Sequence, residues 1–133
     1  MSNDKQEKQT KTVKDFCAAW DRMDLDAIME YMSEDAVYDN LPLETLKGQE
    51  AIANFIGGFF QIATSAKFDI LNLTADENRV VTERVDSFGF AEGGVDKLPV
   101  LGIFEFNDEG KINAWREYWD MQMWLDKGGP ALS

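Results

Sequence analysis

Histidine is absent from this chain of 133 residues, and that absence excludes more than any other feature of the composition. Ser-His-Asp and Cys-His nucleophilic machinery, HExxH zinc binding and imidazole general bases all require a residue the chain does not have. Acid–base chemistry therefore falls to Asp, Glu, Lys, Tyr or Cys. The single cysteine, Cys17, forms no intrachain disulfide and has no histidine or second cysteine to activate it, so it reads as a small buried hydrophobe. Long apolar runs are also missing. No stretch approaches the roughly 18 residues of a membrane span, and the opening MSNDKQEKQTK lacks the apolar segment of a secretory signal. A soluble protein of the cytoplasm is the expectation. Basic residues are few, 13 Lys plus Arg against 25 Asp plus Glu, for a formal charge of −12. Such a field repels phosphate backbones unless the cations are segregated. Here Lys5, Lys8, Lys11 and Lys14 are interleaved with Asp4, Glu7 and Asp15, so neither nucleic acid nor an anionic membrane is an expected partner. Neutral substrates remain compatible with the charge.

With 44% hydrophobic residues, the chain has the composition of one globular domain. Residues 1–10 are polar without a periodic apolar face and read as a flexible N-terminal arm, leaving a single domain over 11–133. From Thr12, the residues Val13, Phe16, Cys17, Ala19 and Trp20 form a helical stripe. Asp24 is placed to cap a short second helix through Leu25, Ile28, Met29 and Tyr31. A short strand over 36–40 and the break at Pro42 lead to a third helix after Gly48. Gly57 and Gly58 inside that helix suggest close packing or a pocket wall. The second half alternates with period two. Strands are predicted over 68–73, 79–90, 98–106 and 111–122, the third and fourth joined by the hairpin signal Asn107-Asp-Glu-Gly110. Three helical segments followed by an antiparallel meander describe an α+β domain with a curved sheet wrapped around helices.

Period-two geometry places residues i and i+2 on one face of a strand. Tyr38 and Asn40 share such a face, as do Arg84 and Asp86 with Thr82, Phe88 and Phe90. Asp120 falls on a face with Ile112, Ala114, Arg116 and Tyr118, opposite Trp115, Trp119 and Met121. A charged pair on a strand that is apolar on both sides needs partners, because unpaired buried ions are driven to neutralise. The rigid fork of Arg84 can bridge two carboxylates, and Asp86 and Asp120 are the pair this reading selects. If one of them keeps a proton, the cluster holds both a general acid and a general base. Tyr38 and Asn40 can then orient a water without adding charge. Periodicity alone leaves a purely structural ion-pair network open for Arg84, Asp86 and Asp120, and it assigns Arg116 and Glu117 to the surface or to structure.

The segments Val37-Tyr-Asp-Asn-Leu-Pro-Leu43, Val81-Thr-Glu-Arg-Val-Asp86 and Ile112-Asn-Ala-Trp-Arg-Glu-Tyr-Trp-Asp120, in this order, resemble the limonene-1,2-epoxide hydrolase family, within the wider NTF2-like and SnoaL-like group. The resemblance implies a cone-shaped α+β fold, its curved mixed or antiparallel sheet packed on three N-terminal helical segments. It also implies an Asp-Arg-Asp centre that opens an epoxide by direct attack of water, with no cofactor and no metal. By resemblance Asp120 is the general base, Asp86 the general acid, and Arg84 the bridge that also binds the substrate oxygen. Tyr38 and Asn40 match the water-holding pair. The implied substrate is an apolar small-molecule epoxide, limonene-1,2-epoxide or similar, and the implied assembly is a homodimer. Phe59, Phe60, Phe88, Phe90 and Leu98 are candidate apolar contacts. The alternatives are a ketosteroid isomerase-like or polyketide cyclase-like enzyme on the same scaffold, or a noncatalytic small-molecule binding protein.

Overall fold

The computed structural model describes residues 3–132. Its first element, α1 (Asn3–Asp21), begins inside the expected flexible arm. Residues 3–10 are helical because the helix docks along its length. Gln9 is buried, and Gln6 Nε2 donates to the carbonyl of Ala75 at 2.8 Å. Residues 1 and 2 of the expected arm lie outside the described residues. The predicted stripe is the one that packs, with Val13, Phe16, Cys17 and Trp20 all buried.

Just past the end of α1, Met23 adopts a left-handed φ of 54°. The amides of Met23 and Asp24 there return to the carbonyls of Trp20 and Ala19 at 2.9 and 3.0 Å, which satisfies two orphan acceptors of the last turn. The Asp24 side chain then accepts from Ala27 N and caps α2 (Leu25–Glu30), as its sequence position suggests. One residue thus closes one helix and opens the next.

The remaining elements are β1 (Met32–Asn40), β2 (Leu46–Lys47), α3 (Gln49–Ile62), β3 (Ala63–Ala75), β4 (Arg79–Phe90), β5 (Gly94–Phe106), β6 (Ile112–Tyr118) and α4 (Met121–Asp126). The strands form one sheet in the order β2-β1-β6-β5-β4-β3. It is mixed, because β1 pairs with β6 in parallel while the other pairings are antiparallel. Register shifts in the β1–β6, β3–β4, β4–β5 and β5–β6 pairings supply the local bends that curve a sheet. Helices α1 and α3 cover the inner face. Phe16 meets Phe104 and Trp115 edge-on at 5.7 and 4.9 Å between centroids, which packs α1 onto β5 and β6.

One boundary differs from the sequence reading in a way that matters for the site. The last strand stops at Tyr118 instead of continuing to 122, and the chain turns into α4 at Met121. Of the two readings of Gly57 and Gly58, close packing holds at Gly57. A side chain at Gly57 would meet Leu25 of α2, and one at Gly58 would meet nothing within 4 Å. Among the described residues, no helix is long and apolar enough to cross a membrane.

Candidate active site

Strand β4 sends its even-numbered residues inward, burying Val80, Thr82, Arg84 and Asp86. Arg84 is 1% exposed, and every guanidinium N–H has a protein partner. Nε donates to Asp86 Oδ1 at 3.0 Å. Nη2 donates to Asp86 Oδ2 at 2.8 Å and to Glu117 Oε1 at 2.5 Å. Nη1 donates to Thr82 Oγ1 at 3.1 Å and to Glu117 Oε2 at 3.0 Å. The ring of Phe68, stacked on Trp20, lies beneath the guanidinium carbon at 4.4 Å. A guanidinium has five N–H donors, so Arg84 has none left for a substrate oxygen. Its expected second role, as a substrate ligand, is corrected to that of a bridge alone.

The second carboxylate on that bridge is Glu117, not Asp120. In β6 the inward-facing residues are Trp115 and Glu117, and Glu117 is 4% exposed. Asp120 lies past the end of the strand. It is solvent-exposed, and its side chain accepts from Met123 N at 2.8 Å as the N-cap of α4. The alternation reading failed here because it carried the strand through a helix cap and placed the polar site on the wrong parity. The signal that finds Glu117 is its i+2 spacing from Trp115, a bulky aromatic that must face the core. The residues therefore form an Asp-Arg-Glu centre where the resemblance implied Asp-Arg-Asp.

Tyr38 and Asn40 come to this centre as the sequence predicted. The parallel pairing of β1 with β6 sets Tyr38 beside Trp115 and Asn40 beside Glu117. Tyr38 stacks on Trp115 with centroids 4.0 Å apart. The indole N–H of Trp119 donates to Asn40 Oδ1, which fixes the amide so that its two N–H donors are free for another acceptor. Tyr38, Asn40, Asp86 and Glu117 all line one cleft. Its other walls are apolar, with Phe59, Phe88 and Leu98 from the predicted contacts, and Trp119, Trp124 and Leu132 from the C-terminal segment. Phe60 and Phe90 of the predicted set do not line it. The cleft has a volume of about 60 Å³, room for a few waters at ~10–15 Å³ each.

Burial pushes the carboxyls of Asp86 and Glu117 upward, and the Arg84 charge beside them pulls them back only in part, leaving both above the usual carboxylate range. Burial also works against the charge of Arg84, but Glu117 and Asp86 outweigh it and hold the guanidinium firmly protonated. Burial raises Tyr38 well above an ordinary phenol, so it is a neutral hydroxyl. Two acids that each resist ionisation, tied to one cation, favour the state with a single shared proton. Such a cluster can give a proton on one side and take one on the other. Among the described residues no group of His, Cys, Asp and Glu is arranged to hold a metal ion.

Residues 7–128 match the family described as limonene-1,2-epoxide hydrolase catalytic domain. An epoxide hydrolase of Mycobacterium tuberculosis, EphG, is 29% identical over 109 residues, which is 82% of this chain and 71% of that protein. A solved M. tuberculosis LEH-like epoxide hydrolase superposes with a TM-score of 0.81 at 25% identity, over 92% of this chain and 90% of the other. A putative polyketide cyclase from Xanthomonas campestris, at 23% identity, gives a TM-score of 0.81 over 92% of this chain and 98% of its own, and at that identity the likeness shows the shared fold alone.

Proposed function

The chain belongs to the limonene-1,2-epoxide hydrolase family, and from that premise we propose that it converts a small apolar epoxide to a vicinal diol by direct attack of water. The observation that carries this reading is the buried Asp86–Arg84–Glu117 cluster opening onto a cleft beside Tyr38 and Asn40. In the reactive state Glu117 is ionised and Asp86 holds the shared proton. A water held by the Asn40 amide and the Tyr38 hydroxyl gives a proton to Glu117 as its oxygen bonds to an epoxide carbon. The C–O bond of the ring breaks, and Asp86 delivers its proton to the departing oxygen. That delivery matters most as charge develops on the oxygen, because an alkoxide is poorly solvated against the aromatic walls. After turnover the proton gained by Glu117 and the one lost by Asp86 restore the starting state through exchange with solvent or product. Arg84 contributes by holding both carboxylates in register. No step requires a cofactor.

We extend the reading to a homodimer. Leu101 and Tyr118 are cross-strand partners on the outer face of the sheet, exposed by 41% and 43%, and a second copy would cover them. A cytoplasmic site fits the unpaired Cys17.

Turnover of a panel of racemic epoxides in ¹⁸O-labelled water tests the chemistry. Wild-type protein should place label in the diol in a single turnover, whereas unlabelled protein oxygen in the product would rule out direct water attack. Glu117→Gln and Asp86→Asn should each lower kcat by ~10²–10⁴, while Asp120→Asn should leave it near wild type. Full activity in Glu117→Gln, or its loss in Asp120→Asn alone, would return the second acid to position 120.

A further inference from the structure

We propose that Gly102 is a positioning residue matched to Glu117: the side chain it lacks is the space across which Arg84 and Glu117 meet. The inference rests on the epoxide-hydrolase reading for its catalytic consequence, but its packing consequence stands without it.

Gly102 occupies the middle of β5, between the two strands that supply the cluster. It pairs with Thr82 of β4 on one side and with Glu117 of β6 on the other. Glycine in a strand interior weakens the strand, and it is usually explained by a positive φ, a bulge or a close approach. The first two do not apply. Gly102 is not among the glycines with positive φ, and neither the β4–β5 nor the β5–β6 register shifts at this residue. The third does. A Cβ built on Gly102 would collide with Arg84 Nη1 and Glu117 Oε2, and would lie 3.0 Å from Thr82 Oγ1. Those atoms are not far ends free to move aside, because they make the Nη1–Oε2 and Nη1–Oγ1 hydrogen bonds of the bridge. Arg84 and Glu117 are both buried, and together they lie on strands separated by β5. A salt bridge between next-nearest strands must pass over the strand between them, and only a residue without a side chain leaves that path open.

Glutamate is the other half of the match. Its carboxylate reaches one methylene farther than an aspartate at the same place, about 1.5 Å, and that extension carries Oε2 into the volume above Gly102. An alanine at 102 displaces the Glu117 carboxylate from Arg84, while an aspartate at 117 withdraws the carboxylate from the same volume. The two substitutions should therefore compensate each other in part, the contact of the new Cβ with Arg84 Nη1 remaining.

The test measures kcat, KM and their pH profiles, together with thermal stability, for wild type, Gly102→Ala, Glu117→Asp and the double variant on one epoxide that wild type turns over. Gly102→Ala should lower kcat by ~10²-fold, as expected for a catalytic group displaced by about 1 Å, with KM little changed. The groups facing Glu117 are Arg84 and Asp86 of β4, Tyr38 of β1, Cys17 of α1 and the indole of Trp115 on its own strand. Of these Arg84 favours ionised Glu117 most strongly, ahead of the Trp115 indole, so weakening that contact should move the acidic limb of the kcat profile to higher pH. The double variant should exceed the product of the two single effects by ~10-fold in kcat and should recover part of the midpoint temperature lost by Gly102→Ala. Unchanged kcat and pH profile in Gly102→Ala, or simple additivity in the double variant, would overturn the proposal. If Gly102→Ala fails to fold, the double variant should fold, and failure of both would likewise overturn it. Absence of turnover in wild type would defeat the epoxide-hydrolase reading, and the stability cycle would still decide the packing match.

Discussion

Replacing Arg84 with methionine removes the one cation from a buried cluster and leaves Asp86 and Glu117 facing each other, 3% and 4% exposed. Five hydrogen bonds and two ion pairs go with it. Breaking a buried pair by deleting one partner costs ~3–5 kcal/mol, chiefly through the uncompensated charge left behind. The variant can limit that cost by keeping protons on its acids, which makes the loss depend on pH. Both carboxyls are already raised by burial and held down in part by Arg84, so without the arginine they rise further. Between the unfolded carboxylate range near ~4 and those raised values, the native state binds more protons than the unfolded state. Stability then falls as pH rises, by about 1.4 kcal/mol per pH unit for each carboxyl that the native state keeps protonated. Urea denaturation followed by tryptophan fluorescence, from acidic to mildly alkaline pH, gives the curve. The deficit of Arg84→Met against wild type should be largest at neutral to alkaline pH and should shrink or reverse toward pH ~4, where wild type is left with a buried cation whose partners are protonated. Replacing the two acids as well, in an Arg84→Met, Asp86→Leu, Glu117→Met variant, should recover most of the deficit. A pH-independent loss, or no loss at neutral pH, would show that the cluster is solvated and would remove the reason for its shared proton.

The same shared proton predicts a bell-shaped dependence of kcat/KM on pH. The acidic limb is set by loss of the single ionised carboxylate and the basic limb by loss of the last proton on the pair. Both limbs belong to the pair, and both should lie above ordinary carboxylate values because burial raises Asp86 and Glu117 alike; a single limb at an ordinary carboxylate value would contradict the arrangement. Cys17 is the second case. Burial pushes its thiol up to about 12, so at pH 8 the thiolate fraction is ~10⁻⁴. A disulfide reagent should therefore react with native protein orders of magnitude more slowly than with protein in urea, and comparable rates would show that α1 opens from the sheet.

The elements that local patterning identified are those whose information is local. The Asp24 cap, the Val13–Trp20 stripe and the full extent of β4 depend on spacings of two to seven residues, and Thr82, Arg84 and Asp86 follow from period two within one strand. The parallel contact of β1 with β6 is different. It joins residues about 80 positions apart and sets Asn40 beside Glu117, and nothing in either segment announces the pairing. The missed acid has a local cause as well. Asp120 reads as strand only if Trp119 and Met121 continue the alternation of Trp115, yet an aspartate three residues before a hydrogen-bonded amide is also what a helix N-cap requires. Two chemistries competed for one carboxylate, and the helix prevailed because its first-turn amides have no other acceptor. Once position 120 is committed to the cap, the arginine needs an acid elsewhere on the inner face. Only Glu117 offers one on β6, and it reaches Arg84 because β5 carries glycine at the crossing point. The identity of the base, the end of the strand and the glycine in its neighbour are thus consequences of one constraint, the need to surround a buried guanidinium with acceptors on every side.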